Sequence, residues 1–364
     1  MREISLPLPG RDQSYQILID PGLRLRLPRC LASLNFPNRV FLITDTRVGS
    51  LYGDQAVAVL KDAGYSPTLL TTPRGERAKT WPVAQRLARE LLARGADRGS
   101  PLIALGGGVV GDLTGFLASI FMRGVPLIQV PTTLLAMVDA AIGGKTAINL
   151  PEGKNLLGTF HQPRLVVIDP EFLHTLPPEE KLNGLAEVLK AGFIRDPDLL
   201  TRLETVGPAL FKNQAAVTDI IWRAAAIKAQ VVTADERETG LRRILNFGHT
   251  LGHALEQAAA FRLPHGRAVA FGMLAALILS EKLVGLPQEE ADRGRRLIQS
   301  FGLVRRAPAL DLKAILAALP MDKKRLEQDL VFVLLRRLGE PVIQTGVPLP
   351  LIKEALRKVL GGGS

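Results

Sequence analysis

The chain has 364 residues, more than one hydrophobic core usually organises, so two domains are expected. Its 47% hydrophobic and 22% charged content is that of a globular chain and excludes a disordered one. A formal net charge of +11 calls for an anionic partner, but the arginines are dispersed among acids and apolar helix positions, as in "RLARELLARGADRG", with few aromatics to stack bases; this excludes nucleic acid in favour of a small, multiply charged anion.

The opening "MREISLPLPG" lacks an apolar core followed by a small-residue cleavage site, and the single Cys30 cannot form an internal disulfide, so a cytoplasmic protein is expected. Short runs rich in branched side chains then alternate with helical patterns: "VFLITD" (40–45), "SPTLLTT" (66–72), "PLIAL" (101–105), "PLIQVPTT" (126–133) and "RLVVID" (164–169). Such alternation predicts a Rossmann-like, mostly parallel sheet covered by helices, with ligands at the carboxyl ends of the strands. After "PLIAL" the chain reads "GGGVVGD", which satisfies G-x-G-x-x-G through Gly106, Gly108 and Gly111 and leads into a helix. Strand, glycine turn and helix together let backbone amides approach a pyrophosphate, though a tight turn needing small residues has the same pattern. No acid follows at the usual distance to hold a ribose; Asp45, at the end of "VFLITD", is the suitable one. "GGKT" (143–146) resembles a phosphate loop, but Asp139 stands where that pattern needs glycine, which excludes an ATPase reading.

From about Pro177 helical patterns rich in leucine and alanine prevail until the expected hairpin "LVFVLLRRLGEPVIQTGV" (330–347). The domains are therefore expected at 1–177 and 178–364. The longest apolar run, "AVAFGMLAALIL" (268–279), is too short to span a bilayer and predicts a buried helix. In "NFGHTLGH", His249 and His253 lie four apart on one helix face, and three of the five histidines fall within residues 249–265. His249, His265 and the Glu187 of "GLAEVLKAG" supply two imidazoles and a carboxylate, a three-ligand set that can bind zinc and leave one position open for substrate. The zinc-protease motif H-E-x-x-H is excluded, since Thr250 replaces its glutamate.

The run "ALGGGVVGDLTGFLASIFMRGVPLIQVPTTLLAMVDAAIGGKTAIN", followed by "PEGKNLLGTFHQP", "LAEVLK", "LNFGHTLGHALE", "HGRAVAFGM" and "DKK", resembles the 3-dehydroquinate synthase family from about Asp45 to Lys324. The resemblance implies an NAD-binding α/β domain, a helical metal-binding domain and a homodimer. It implies cyclisation of a sugar phosphate, 3-deoxy-D-arabino-heptulosonate 7-phosphate, to 3-dehydroquinate with loss of phosphate, in the shikimate pathway. By the same resemblance NAD would be held by Asp45, Glu76, Lys79, Gly107, Gly108, Val109, Val110, Gly111, Asp112, Thr132, Thr133, Asp139, Lys145, Lys154 and Thr175. Glu187, His249 and His265 would hold zinc or cobalt. Lys154, Asn155, Lys190, Arg242, Asn246, His253 and Lys323 (or the adjacent Lys324) would contact substrate, with Arg123 reaching a phosphate from the partner subunit.

The planar fork of Arg242 suits a carboxylate, and the lysines suit a phosphate as point charges. Two departures from the family pattern stand out: Ala140 and Ala141 in "DAAIGGK" replace serines, and Arg267 replaces a glutamate. Other sugar phosphate cyclases and metal-dependent polyol dehydrogenases of the superfamily use the same apparatus, and Arg242 with "DKK" favours the carboxylated substrate among them. A silent NAD-binding or scaffold protein would require loss of a ligand or hydride-site residue, and none is lost.

Overall fold

The computed structural model describes residues 1–8, 14–305, 309–319 and 330–361. The chain divides into two compact units, Met1–Leu176 with Lys228–Glu236, and Pro177–Ile227 with Arg237–Ser364. The return of 228–236 to the first unit departs from the division expected at 177/178. No change of composition marks it, because 228–234 ends one continuous helix, α8 (Gln214–Ala234).

The first unit is built on a seven-stranded sheet in the order β1-β2-β9-β6-β5-β3-β4. Its strands are β1 (Arg2–Leu6), β2 (Tyr15–Ile19), β3 (Arg39–Asp45), β4 (Ser66–Thr72), β5 (Leu102–Gly106), β6 (Leu127–Pro131) and β9 (Leu165–Ile168). All neighbours run parallel except β1 against β2. Every residue of β5, β6 and β9 is buried, the mark of strands covered on both faces. The flanking helices are α1 (Leu27–Ala32), α2 (Thr46–Val48), α3 (Asp54–Asp62), α4 (Trp81–Ala93) and α5 (Gly108–Ile120). Leu87 and Leu91 of α4, Leu113 and Phe116 of α5, and Phe41 and Ile43 of β3 share one core cluster. Beyond the expected strands, β1 and β2 extend the sheet, and β7 (Lys145–Leu150) pairs with β8 (Gly153–Phe160) as a separate antiparallel hairpin. The stretch after "GGK" is thus a strand and not the helix a phosphate loop would start.

In the second unit α6 (Pro178–Arg195) and α10 (His265–Leu283) are central. Residues 183–194 of α6 are all buried, as is nearly all of the apolar run of α10, so that run is satisfied inside protein. No described helix is long and apolar enough to cross a membrane. Around them lie α7 (Pro197–Val206), α9 (His249–Ala258), α11 (Gln288–Ser300), α12 (Leu312–Ala317) and α13 (Leu349–Leu360), with the expected hairpin as β10 (Phe332–Arg337) and β11 (Glu340–Gln344). The hairpin is tied down where Ser280 Oγ accepts from Leu335 N at 3.0 Å and Phe193 O accepts from Gly339 N at 2.8 Å.

Candidate active site

In the first unit the chain leaves β3 for β4 on one side and then returns to lay β5 on the other. The order reverses there, which is where open α/β sheets bind ligands beyond their carboxyl ends. Thr44 pairs with Leu105, so Asp45 and Gly106 end adjacent strands side by side. The glycine turn leads straight into α5, whose first-turn amides have no intrahelical acceptor. Its glycines are needed for close approach: a Cβ on Gly111 would stand 2.9 Å from Gln129 Oε1 and one on Gly107 would stand 2.9 Å from Thr133 Cγ2. Ala140 abuts the same turn, 3.4 Å from the Cβ position of Gly108.

Lys79 is buried beside this turn, its Nζ 2.6 Å from Asp112 Oδ2 and 2.5 Å from Asn155 Oδ1. Burial pushes the Asp112 carboxyl up to about 6 against the pull of Lys79. Asn149 extends the network, donating to Glu76 Oε2 at 2.7 Å and accepting from Asn155 N at 3.0 Å. Asp45 accepts from Arg47 N and Val48 N and caps α2. Asp139 pairs with Lys228 at 2.5 Å, and Thr175 Oγ1 lies 2.6 Å from Tyr52 Oη. Thr132 is buried beside the turn, its amide donating to Gly106 O, whereas Lys145, Lys154 and Arg123 are exposed. Arg123 follows Met122 in a left-handed backbone, φ 70° and 48°.

In the second unit three elements bring Glu187, His249 and His265 together. Their ligand atoms lie within 4.8 Å of one another. Glu187, mid-way along α6, is 3% exposed and directs Oε1 at both imidazoles, 3.4 Å from His249 Nε2 and 3.3 Å from His265 Nε2. Each histidine opens its helix, and the packing that places them there is glycine packing. A Cβ on Gly272 would stand 1.9 Å from Gly248 O, so α9 and α10 could not otherwise lie this close. Gly248 itself has φ 80° and turns the chain into α9. At the start of α10, Gly266 N donates to Asn183 Oδ1 of α6 at 3.0 Å, which caps α10 from a neighbouring helix.

The outer ring nitrogens are held as well. His249 Nδ1 lies 3.3 Å from Phe247 O and His265 Nδ1 lies 3.3 Å from Glu256 Oε1. Both acceptors require a proton on Nδ1, so each ring, once a cation displaces any proton on its other nitrogen, presents its Nε2 lone pair to the triad. Two imidazole nitrogens and a carboxylate oxygen, converging and largely buried, suit zinc or cobalt. Lys190, also buried, pairs with Glu187 Oε2. Lys190 and the two imidazoles hold the Glu187 carboxyl well below the usual range despite burial. Burial lowers the basicity of His265, but its bonds to Glu187 and Glu256 prevail and raise it to about 10.

A cavity of about 470 Å³ in this unit is lined by Glu238, Arg243, Asn246, His249, Thr250 and His253, among others. Asn246 Nδ2 donates to Glu238 Oε1 at 3.0 Å. Arg242, expected to read a carboxylate, is 1% exposed, and its neighbour Arg243 lines the cavity. Thr250, at the protease glutamate position, donates to Val331 O at 2.8 Å, and Arg267 donates to Leu303 O at 3.2 Å. Lys323 and Lys324 lie outside the described residues. Sequence reading missed Lys228, Asn183, Glu238 and Glu256. Of these only Glu256 carried a signal, three residues after His253 in the "GHALE" segment.

Residues 69–183 match the 3-dehydroquinate synthase N-terminal family and residues 184–325 the C-terminal one. The chain belongs to the 3-dehydroquinate synthase family. It is 44% identical to the 3-dehydroquinate synthase of a Synechococcus sp. strain, over 98% of this chain and 99% of the relative. Among solved structures it is similar to a 2-epi-5-epi-valiolone synthase from Streptomyces hygroscopicus subsp. jinggangensis, with NAD+ and Zn2+ bound, at TM-score 0.86 and 32% identity over 96% of this chain and 97% of that one. It is similar also to a 2-deoxy-scyllo-inosose synthase complexed with carbaglucose-6-phosphate, NAD+ and Co2+, at TM-score 0.88 and 27% identity over 98% and 100%.

Proposed function

We propose that this chain converts 3-deoxy-D-arabino-heptulosonate 7-phosphate to 3-dehydroquinate and phosphate. The observation that carries the reading is the convergence of Glu187, His249 and His265 in a chain whose family is that of 3-dehydroquinate synthases. The reaction combines transient oxidation of an alcohol, phosphate elimination, reduction, ring opening and an intramolecular aldol closure. A divalent cation on the triad would polarise a substrate oxygen, and NAD+ at the glycine turn would take up and return a hydride.

The rest is work for the chain's own side chains. Glu187 stays ionised because Lys190 and two imidazoles surround it. His253, exposed on the turn after His249 and lining the cavity, is placed to move a proton. Arg242, already desolvated, suits the carboxylate, and Asn246 offers amide groups in the cavity wall. Lys154, Asn155, Lys190 and Lys323 are assigned to the remaining substrate oxygens. Asp45, Glu76, Lys79, Gly107 to Asp112, Thr132, Thr133, Asp139, Lys145, Lys154 and Thr175 are assigned to NAD. Holding the open chain folded for the aldol step can replace about 7–11 kcal/mol of barrier.

We assign the chain to the cytoplasm and to a homodimer in which Arg123 reaches a phosphate in the partner. Leu150, Leu156, Leu157 and Phe160 are exposed apolar side chains on the β7–β8 hairpin, which supports association. An assay of phosphate release and 3-dehydroquinate formation tests the function. Activity is expected only with both NAD+ and zinc or cobalt, with His249→Ala and His265→Ala losing metal affinity and His253→Ala keeping it. Full turnover by metal-free protein, confirmed by elemental analysis, would sink the ligand assignment.

A further inference from the structure

His265 is gripped by a carboxylate at each ring nitrogen: Glu187 Oε1 lies 3.3 Å from Nε2 and Glu256 Oε1 lies 3.3 Å from Nδ1. His249 has only a backbone carbonyl at the corresponding outer position. Glu256 is two turns along α9 from His249 and three residues from His253, and its side chain is 13% exposed. One helix therefore carries a triad histidine at its start and, two turns later, the acceptor that orients the other triad histidine. Glu256, His253 and His265 also offer atoms within 4.8 Å of one another, so Glu256 could be read as a ligand in its own right. Two considerations favour orientation. The Nε2 of His265 already faces the triad, and the one remaining nitrogen is the atom Glu256 addresses; an Nδ1–H bonded to a carboxylate fixes the tautomer that leaves Nε2 as donor and makes that donor more basic.

We propose that Glu256 is a positioning residue for the metal centre, acting through the Nδ1–H of His265 and not by ligating the cation. The inference rests on the triad reading above, so its test includes a triad variant. Zn2+ affinity of the full-length chain would be measured by competition with a chromophoric chelator, without substrate or NAD+, for wild type, His249→Ala, Glu256→Ala and Glu256→Gln. The alanine variant should bind Zn2+ about 10- to 100-fold more weakly, and the glutamine variant, whose amide oxygen still accepts from Nδ1–H, should recover to within a few-fold of wild type. Nitrogen-15 chemical shifts of His265 should show the Nδ1–H tautomer in zinc-loaded wild type and Glu256→Gln. Wild-type affinity in Glu256→Ala overturns the inference if His249→Ala has lost zinc; unchanged affinity in His249→Ala overturns the triad reading itself. Equal losses in the alanine and glutamine variants, or a second zinc equivalent that Glu256→Gln abolishes, also overturn it.

Discussion

Arg242 is 1% exposed, a fixed positive charge removed from water before substrate arrives. Truncating one partner of a desolvated charge pair costs on the order of 2–5 kcal/mol. Arg242→Ala should therefore weaken binding of the natural substrate by at least tenfold more than binding of an analogue lacking the carboxylate, read by isothermal titration; equal losses would assign Arg242 elsewhere. Asp112 makes a second residue-level statement. Its folded carboxyl titrates near 6, above the ordinary 3.8, so the folded state binds more protons between those values and stability falls as pH rises through them. The ionised form is thus the destabilised one at neutral pH. On going from pH 7 to pH 5, wild type should gain about 1 kcal/mol relative to Asp112→Asn in urea unfolding. A difference independent of pH would place the Asp112 titration outside that window.

Elements explain how distant residues become a site. Glu187, His249 and His265 sit on three helices, and the separation of α9 from α10 depends on the absence of a Cβ at Gly272. Gly272→Ala would drive a methyl into Gly248 O, one residue before His249, and neither backbone can yield without moving the helix. We expect a loss of about 1–3 kcal/mol in unfolding free energy, together with a weaker Zn2+ affinity, by denaturant titration and metal competition. Retention of both would mean that the helices have slack, and that their spacing does not set the triad. On the other side of the molecule's chemistry, α5 opens at the glycine turn because Gly107 and Gly111 clear Thr133 and Gln129. The G-x-G-x-x-G pattern was legible in the sequence, but the role of its glycines differs from a left-handed turn: none of Gly106, Gly107, Gly108 or Gly111 has positive φ.

At the scale of the whole molecule the test is the fate of the hydride. A cyclase removes it from a substrate carbon only to make the neighbouring position eliminate phosphate, then returns it; a polyol dehydrogenase releases it. Deuterium placed on that carbon should reappear there in 3-dehydroquinate, by mass spectrometry and NMR, with NAD+ far below substrate concentration. Label in released NADH or in solvent would instead indicate a dehydrogenase.

Much of this architecture was determined by local sequence. Buried strands such as "VFLITD" and "PLIAL" are short and apolar on both faces, so alternation with helices sufficed to predict a parallel sheet. The apolar run of α10 and the β10–β11 hairpin were equally plain, since length and turn residues are local properties. Other features were decided only by tertiary structure. Residues 145–160 form a hairpin because β7 and β8 pair across a two-residue turn, a contact no periodicity announced. The return of 228–236 to the first unit, and with it Lys228 against Asp139, joins residues 89 apart in sequence. Asn183 reaches the amide of Gly266 across 83 residues, and Glu256 meets the outer nitrogen of His265. A sequence lists the donors that a metal centre needs; which nitrogen each imidazole presents is settled by acceptors that only packing brings within hydrogen-bonding distance.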